Sequence, residues 1–289
     1  MRILITGAGG QIAKALRKLS PKAVEIIALG HSDLDIGDSR AVENAVEGAS
    51  PYAVINAAAY TAVDNAESEP ELALRVNGDG PGYLATAARR NGARFLHIST
   101  DFVFDGQQSS PYAPDAVTCP LSAYGASKLL GERRVQENSR GEALILRTAW
   151  VYAAGGRNFV RTMLKIMRER NSVRVIQDQV GSPTWADSVA RVLWATVQNP
   201  EARGIHHWTD AGVASWYDFA VAIAEEAQRL GILEHDVTVQ PISTADYPTP
   251  ARRPAYSVLD RRSIEKLLGL RPAHWRTNLR EMLMELKHA

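Results

Sequence analysis

The sequence predicts an α/β protein: a doubly wound parallel sheet of Rossmann type, followed by a smaller C-terminal α/β substrate lobe. Three observations predict it. Short β-branched runs alternate with helical patterns through the first half, glycines close the first run, and after Trp150 the rhythm changes to long helices parted by Pro-rich turns. The expected strands are residues 2–6, 24–29, 53–57, 94–99 and 143–148. Between them the periodicity predicts helices at 11–19, 39–47, 81–91 and 124–137. Asp38 and Ser68 stand where N-caps are wanted, and Ser68 has Glu71 at capping-box spacing.

The second half predicts helices at 158–170, 185–198 and 215–230, and an amphipathic last helix at 275–287. Residues 243–257 hold Pro248, Pro250 and Pro254 with two arginines, and read as an ordered loop crossing between lobes. The division expected is a dinucleotide-binding domain over 1–152, to which later segments return, and a substrate lobe over most of 153–289.

Composition narrows the function classes. With 289 residues, 45% apolar and 22% charged, the chain has material for a substantial core. Its 33 Lys and Arg against 32 Asp and Glu leave a net charge of +1, so no overall field draws a nucleic acid. Cys119 stands alone, which excludes an internal disulfide and a four-thiolate zinc site and points to the cytoplasm. The opening residues lack the basic flank and cleavage site of a signal peptide, and no apolar stretch approaches the roughly 20 residues of a membrane span. No membrane partner is expected.

Three motifs carry chemistry. The first strand runs into Thr6, Gly7, Ala8, Gly9, Gly10, Gln11, Ile12 and Ala13, then a helix. Glycine allows a tight turn and close backbone approach, and the free amides of a helix start suit a pyrophosphate. At this place in the alternation, the turn is expected to bind a dinucleotide. The second strand ends at Leu29, Gly30, His31 and Ser32 without the acid that often meets a ribose hydroxyl, which removes repulsion of a 2′-phosphate. His31 and Ser32 are then candidate donors to that phosphate, with no arginine at hand. Asp35 with Ile36 either frames an adenine or belongs to a solvated loop before the Asp38 cap.

The second motif is Tyr124, Gly125, Ala126, Ser127, Lys128. Tyrosine and lysine at i and i+4 share a helix face, so an ammonium beside the phenol is expected to lower its pKa from the usual value of about 10. The third is Ser99, Thr100 and Asp101 at the end of the fourth strand, where ligands of open α/β sheets collect. A hydroxyl there can polarise a carbonyl while the phenol donates from the side. Without such context Thr100 caps its own strand end, Trp150 is a core aromatic, and Arg253 forms a surface ion pair.

Together these stretches resemble the extended short-chain dehydrogenase/reductase family. The resemblance rests on residues 56–69 (NAAAYTAVDNAESE), 99–106 (STDFVFDG), 120–128 (PLSAYGASK), 147–152 (RTAWVY), 178–184 (DQVGSPT) and 247–257 (YPTPARRPAYS), six motifs in order over most of the chain. It implies reduction of the 4-keto group of a dTDP-linked keto sugar, dTDP-4-dehydro-L-rhamnose, with NADPH preferred and NADH possible. It implies Thr100, Tyr124 and Lys128 as the catalytic trio. It implies Gly7, Gly10, Gln11 and Ile12 at the pyrophosphate, Asp35 and Ile36 at the adenosine, and Ala59, Tyr60 and Thr61 along the cofactor body, together with Tyr124 and Lys128. It further implies Val63, Thr100, Asp101, Tyr124, Trp150 and Arg253 at the sugar nucleotide.

The chain departs from the family pattern at Phe102, Ser122 and Ala13, where tyrosine, asparagine and glycine are common. Competing readings are an epimerase or dehydratase of the same superfamily, and a non-catalytic regulatory subunit. The shorter chain and the 99–106 motif favour a reductase over the epimerase or dehydratase, which shares the Tyr and Lys. Retention of Thr100, Tyr124 and Lys128 speaks against the subunit. Some members pair through magnesium held by three glutamates; here Ala15, Asp187 and Glu285 stand at those positions. With one carboxylate missing, neither a tightly bound metal nor a metal-mediated dimer is expected, and Asp187 and Glu285 read as solvated helix residues.

Overall fold

The computed structural model describes residues 1–288. Five strands of the first half, β1 (Arg2–Thr6), β2 (Glu25–Leu29), β3 (Ala53–Asn56), β4 (Arg94–Thr100) and β5 (Leu144–Thr148), form one sheet with a sixth strand, Gly204–His207. Every pairing is parallel, in the order β2, β1, β3, β4, β5 and then Gly204–His207. The chain passes from β1 outward to β2 and then back across β1 to β3. Winding therefore reverses between β1 and β3, and a crevice opens beyond their carboxyl ends.

Helices cover both faces, which is why the strands read as unbroken apolar runs. Ile3 and Ile5 of β1, with Leu96 and Leu144, pack under α1 (Gln11–Lys18). Leu4, Val54 and Ile145 face the opposite layer of α2 (Ser39–Ala49). That layer continues with a long helical stretch: α3 (Pro70–Ala73), a π-turn over Leu74–Asp79, and α4 (Gly80–Arg90). Beside it lies α5 (Ala123–Asn138).

The expected N-cap at Ser68 is not formed. Ser68 sits in αR backbone at the end of a 3-10 turn and donates its hydroxyl to the Asn65 carbonyl, while Pro70 opens α3 with no side-chain cap. Helical structure thus starts eleven residues before the expected 81. Asp38 caps α2 as expected, accepting from the amides of Arg40 and Ala41.

The second half builds its own core. Val160, Met163, Leu164 and Met167 of α6 (Phe159–Glu169) face Val173 and Val175 of the strand Ser172–Ile176, which pairs in parallel with Thr238–Ile242. α7 (Ala186–Gln198) leaves that core and packs on α1 over the large sheet, leading into the strand Gly204–His207. α8 (Trp216–Arg229), opened by a Ser215–Asp218 capping box, and the last helix complete the lobe. Between them α9 (Arg262–Leu268) lies against α7, and the last helix is α10 (Trp275–Lys287).

Asp187 and Glu285 are not independent solvated residues. The Lys18 ammonium donates to both carboxylates, at 2.9 Å for Asp187, and Asp187 is buried. Despite the cost of partial burial, these two carboxylates hold the lysine above its ordinary pKa. The triad ties α1, α7 and α10 together around a cation that stays partly open to solvent.

Glycines set how closely α5 approaches its neighbours. A methyl at Gly131 would overlap the Asn77 carbonyl oxygen of the π-turn, whereas Gly48 in α2 faces open space. Helix propensity alone favours alanine at both sites by up to about 1 kcal/mol, but overpacking costs about 1–3 kcal/mol. Gly48→Ala is expected to raise the denaturant midpoint and Gly131→Ala to lower it; equal shifts would show that α5 is not in close contact.

Candidate active site

The site grows from the carboxyl ends of β1, β3 and β4. Gly7 takes φ +74°, and a Cβ there would stand 2.7 Å from the Ala57 oxygen, so only glycine admits this approach. Gly10 donates to the Gly7 carbonyl at 2.8 Å and opens α1 in extended backbone, with no side chain capping the helix start. The first amides of α1 are left for an anion.

Below the turn, Thr6 Oγ1 donates to Asn56 Oδ1 at 2.6 Å, and Asn56 Nδ2 meets His97 Nδ1 at 3.0 Å. Burial, and to a lesser degree Lys128, push the His97 pKa well below its ordinary value, so the neutral ring accepts from Asn56. This chain of side chains ties the ends of β1 and β3 to the middle of β4.

At the far end of the crevice, Asp35 accepts from Gly37 N at 2.9 Å and pairs with Arg75 Nη1 at 2.6 Å. The guanidinium, with the Gly37 amide, keeps the carboxyl below its usual range. An arginine does reach this end of the cleft, from the π-turn rather than from the local sequence, and Asp35 already neutralises it.

The end of the cleft that holds Thr100, Tyr124 and Lys128 is assembled by β4 and α5. Ser122 caps α5 by accepting from Gly125 N at 3.2 Å, and Glu67 accepts from Ala123 N at 2.8 Å. A side chain at Gly125 would overlap the Phe102 carbonyl, so the helix start presses onto the turn after Thr100. Tyr124 is thereby brought beside Thr100 and takes Phe102 edge-on, with ring centroids 5.5 Å apart. Thr100 Oγ1 donates to Asp101 Oδ1 at 3.1 Å and accepts from Phe102 N, so it also terminates its strand.

Lys128 is 2% exposed and donates to the Ile98 carbonyl at 2.7 Å. Burial lowers its pKa to about 8, against the pull of Glu132 one turn further along α5. Glu132 is itself buried and paired with Arg147 through two hydrogen bonds, of 2.8 and 2.7 Å. Burial likewise raises Asp101 to about 6, with the Ser257 and Thr100 hydroxyls opposing the shift.

The phenol departs from the sequence expectation. Burial pushes Tyr124 up to about 12, the Thr100 hydroxyl lowers it by less, and the Asp101 charge adds to the rise. The ammonium of Lys128 is turned to the Ile98 carbonyl and contributes no lowering. Desolvation outweighs every neighbour here.

One cleft of about 870 Å³ collects the expected residues. Gly7, Gly10, Gln11, Ile12, Asp35, Ile36, Ala59, Tyr60, Thr61 and Val63 line it, as do Thr100, Asp101, Tyr124, Lys128, Trp150 and Arg253. Asn77 holds the middle by accepting from Tyr60 N at 2.8 Å and donating to Tyr60 O at 2.9 Å. Thr148 Oγ1, buried on the wall, has no hydrogen-bond partner within the protein among the described residues. The glycine cradle, the open amides and this unpartnered hydroxyl fit a dinucleotide.

Trp150 is no ordinary core aromatic. It takes φ +50°, a conformation costing about 1–3 kcal/mol for such a residue, and lies face to face on Trp216 with centroids 3.5 Å apart. Gly181 leaves room beneath the ring. Arg253 pairs with Asp64 at 2.9 Å, yet it also lines the cleft with Tyr124, so the loop crossing between lobes delivers it to the same site. Trp216, Arg157 and the Glu132–Arg147 pair were not singled out by sequence. Only Glu132, at i+4 from Lys128, carried a signal that spacing could have revealed.

A family model described as the RmlD substrate binding domain matches residues 1–288. The chain is 44% identical over 286 residues to a dTDP-4-dehydrorhamnose reductase of Burkholderia thailandensis, covering 96% of each. Among solved structures it resembles a dTDP-4-dehydrorhamnose reductase of Clostridium acetobutylicum, at a TM-score of 0.93, 40% identity and coverage of 99% of this chain and 100% of that one. It also resembles the Bacillus anthracis enzyme in complex with NADP, at 0.92 and 35%, covering 98% and 99%.

The buried Asp101 generates a prediction about stability. Its folded pKa of about 6 lies above the ordinary 3.8, so the native state binds the proton more tightly. Stability is therefore lost as pH rises from about 4 through 6, by about 2–3 kcal/mol in all. Asp101→Asn is expected to unfold at a higher temperature than the wild type above pH 6, with the gap closing toward pH 4. A gap independent of pH would show that the carboxyl is not desolvated.

Proposed function

The chain belongs to the family of the RmlD substrate binding domain, and from that premise we propose that its cleft reduces the 4-keto group of dTDP-4-dehydro-L-rhamnose to dTDP-L-rhamnose. It is an oxidoreductase that uses NADPH, with NADH as the poorer alternative. The observation that carries the reading is the convergence of Thr100, Tyr124 and Lys128 on one wall of a cleft that begins at the Gly7–Gly10 turn.

In this reading Gly7, Gly10, Gln11 and Ile12 hold the cofactor pyrophosphate at the open amides of α1. Asp35 and Ile36 frame the adenosine, and Ala59, Tyr60 and Thr61 line the body between. Val63, Thr100, Asp101, Trp150 and Arg253 hold the sugar nucleotide. A guanidinium fork suits its diphosphate, and Arg253 exchanges the Asp64 carboxylate for that partner.

When bound, NADPH supplies a hydride. The protein's task is the proton. Tyr124 keeps its phenol neutral because burial disfavours the phenolate, so the proton is present whenever an alkoxide develops on the substrate oxygen. An alkoxide is far more basic than even this phenol and takes the proton from it. Thr100 orients the carbonyl and, since its hydroxyl already lowers the phenol pKa, eases the charge left on the phenol, while Lys128 would hold the nicotinamide ribose.

Several features support a cytoplasmic reaction without a resident metal. Cys119 is the single cysteine, and the Lys18 ammonium already sits between Asp187 and Glu285, offsetting one of their two charges. No helix among the described residues is long and apolar enough to cross a membrane. No metal-mediated dimer forms in this reading.

Tyr124→Phe tests the assignment. With NADPH and the keto-sugar nucleotide, kcat is expected to fall by about 10²- to 10⁴-fold while the Kd for NADPH changes little. Unchanged turnover, or equal losses in both, would contradict it. Wild-type protein that leaves NADPH unoxidised would favour a non-catalytic subunit.

A further inference from the structure

The near-neutral whole conceals one uneven stretch. Residues 153–177 carry six cations, Arg157, Arg161, Lys165, Arg168, Arg170 and Arg174, against the single carboxylate of Glu169. The remaining chain therefore holds a slight excess of acid. The charge is arranged as well as concentrated. Val160, Met163, Leu164 and Met167 turn one face of α6 into the lobe core, and Arg161, Lys165 and Arg168, at i, i+4 and i+7, stand on the exposed face. At 1.5 Å per residue they form a row of about 10 Å.

The row starts at the cleft. Asn158 caps α6 and donates to Gln11 Oε1 at 2.9 Å, which fastens the helix start to the residue after the glycine turn. Arg157, the residue before that cap, lines the cleft. Arg253 is the other arginine that lines it and is held by Asp64, while Arg75, at the adenosine end, is held by Asp35. Arg157 has neither a carboxylate nor a carbonyl partner among the described residues. Lys165 and Arg168 likewise form no ion pair among them, and Arg161 spends one nitrogen on the Ala154 carbonyl. Unpaired surface charges of one sign, leading to a low-dielectric crevice, act chiefly on the rate of encounter.

We propose that Arg161, Lys165 and Arg168 form an approach path for phosphate-bearing ligands and that Arg157 at its head meets the pyrophosphate of NADPH beside the glycine turn. This rests on reading the cleft as a dinucleotide site. Among the two anionic ligands of that reading, the path serves the dinucleotide first, because its 2′-phosphate adds about 1.5 to 2 negative charges to the pyrophosphate. The sugar nucleotide shares the pyrophosphate chemistry and feels the same field more weakly.

The test is the association rate constant of NADPH, followed by stopped-flow fluorescence, with dTDP as the second arm. Lys165→Glu with Arg168→Glu reverses two path charges. Lys266→Glu with Arg271→Glu makes the same change in net charge at residues outside the cleft. At low salt the path variant is expected to bind NADPH about five- to tenfold more slowly than the control variant, and dTDP with a smaller loss. At about 1 M salt, where the screening length is about 3 Å, the two variants should converge. Saturated turnover should match the wild type.

Equal slowing in both variants would assign the effect to net charge and overturn the proposal. So would a difference that persists in high salt, or a loss confined to dTDP. Arg157→Gln supplies a separate readout: it should raise the NADPH off-rate several-fold, while slowing association at low salt less than the two-charge reversal of the path does. An unchanged off-rate would remove Arg157 from the site. NADPH uptake by the wild type reports on the cleft itself, whereas the ratio between variants reports on the path.

Discussion

The buried pair of Glu132 and Arg147 is the constraint on which the reactive end depends. Arg147 projects from β5 and Glu132 from α5, and both are almost wholly excluded from solvent. Such a pair rarely stabilises a fold by itself, because desolvation offsets the attraction. It persists here because every group is satisfied: two parallel bonds join the partners, Ser99 donates to Glu132, Arg147 also donates to the Pro114 carbonyl, and the guanidinium lies over the Phe104 ring. Its consequence is geometric. α5 is locked against β4 and β5 at one rotation, and that rotation puts Lys128 under the Ile98 carbonyl and Tyr124 beside Thr100.

Small residues then let the lock close. Gly125, Gly131 and Gly78 remove side chains where α5 meets the Phe102 turn and the π-turn at Leu74–Asp79. The π-turn carries Asn77, which donates to both the Tyr60 carbonyl and Ser127 Oγ of α5. The segment expected along the cofactor body and the helix bearing Tyr124 are thus held by one amide. A displaced helix would move both. π-turns recur at functional sites, and here the extra residue sets Asn77 facing inward.

Much of this was legible in the residues. Strand and helix alternation, the glycine turn and the Tyr124–Lys128 spacing are local signals, and they specified the sheet and one wall of the cleft. What escaped were relations between distant segments. Ser68 has the spacing of a capping box, but Pro70 opens the helix two residues later and leaves Ser68 to close the turn before it. Asp187 and Glu285 look like surface residues until Lys18, far from both in sequence, is placed between them. Trp216 shows its role only once the second lobe folds its ring onto Trp150. The phenol pKa was misjudged for a related reason: periodicity shows that two side chains share a face, but not how deeply water is excluded from it.

That exclusion gives the site its character. A phenol raised by burial, a lysine lowered by burial and an aspartate pushed toward neutrality all disfavour charge before the reaction creates any. The central claim is that Tyr124 is a stored proton rather than a preformed phenolate. Its ring carbon can be followed by NMR in protein labelled at the tyrosine Cζ, with Tyr124→Phe identifying the resonance. The account predicts that this resonance shows no ionisation step from pH 6 to about 10 in the free protein. A titration with a midpoint near neutrality would contradict it.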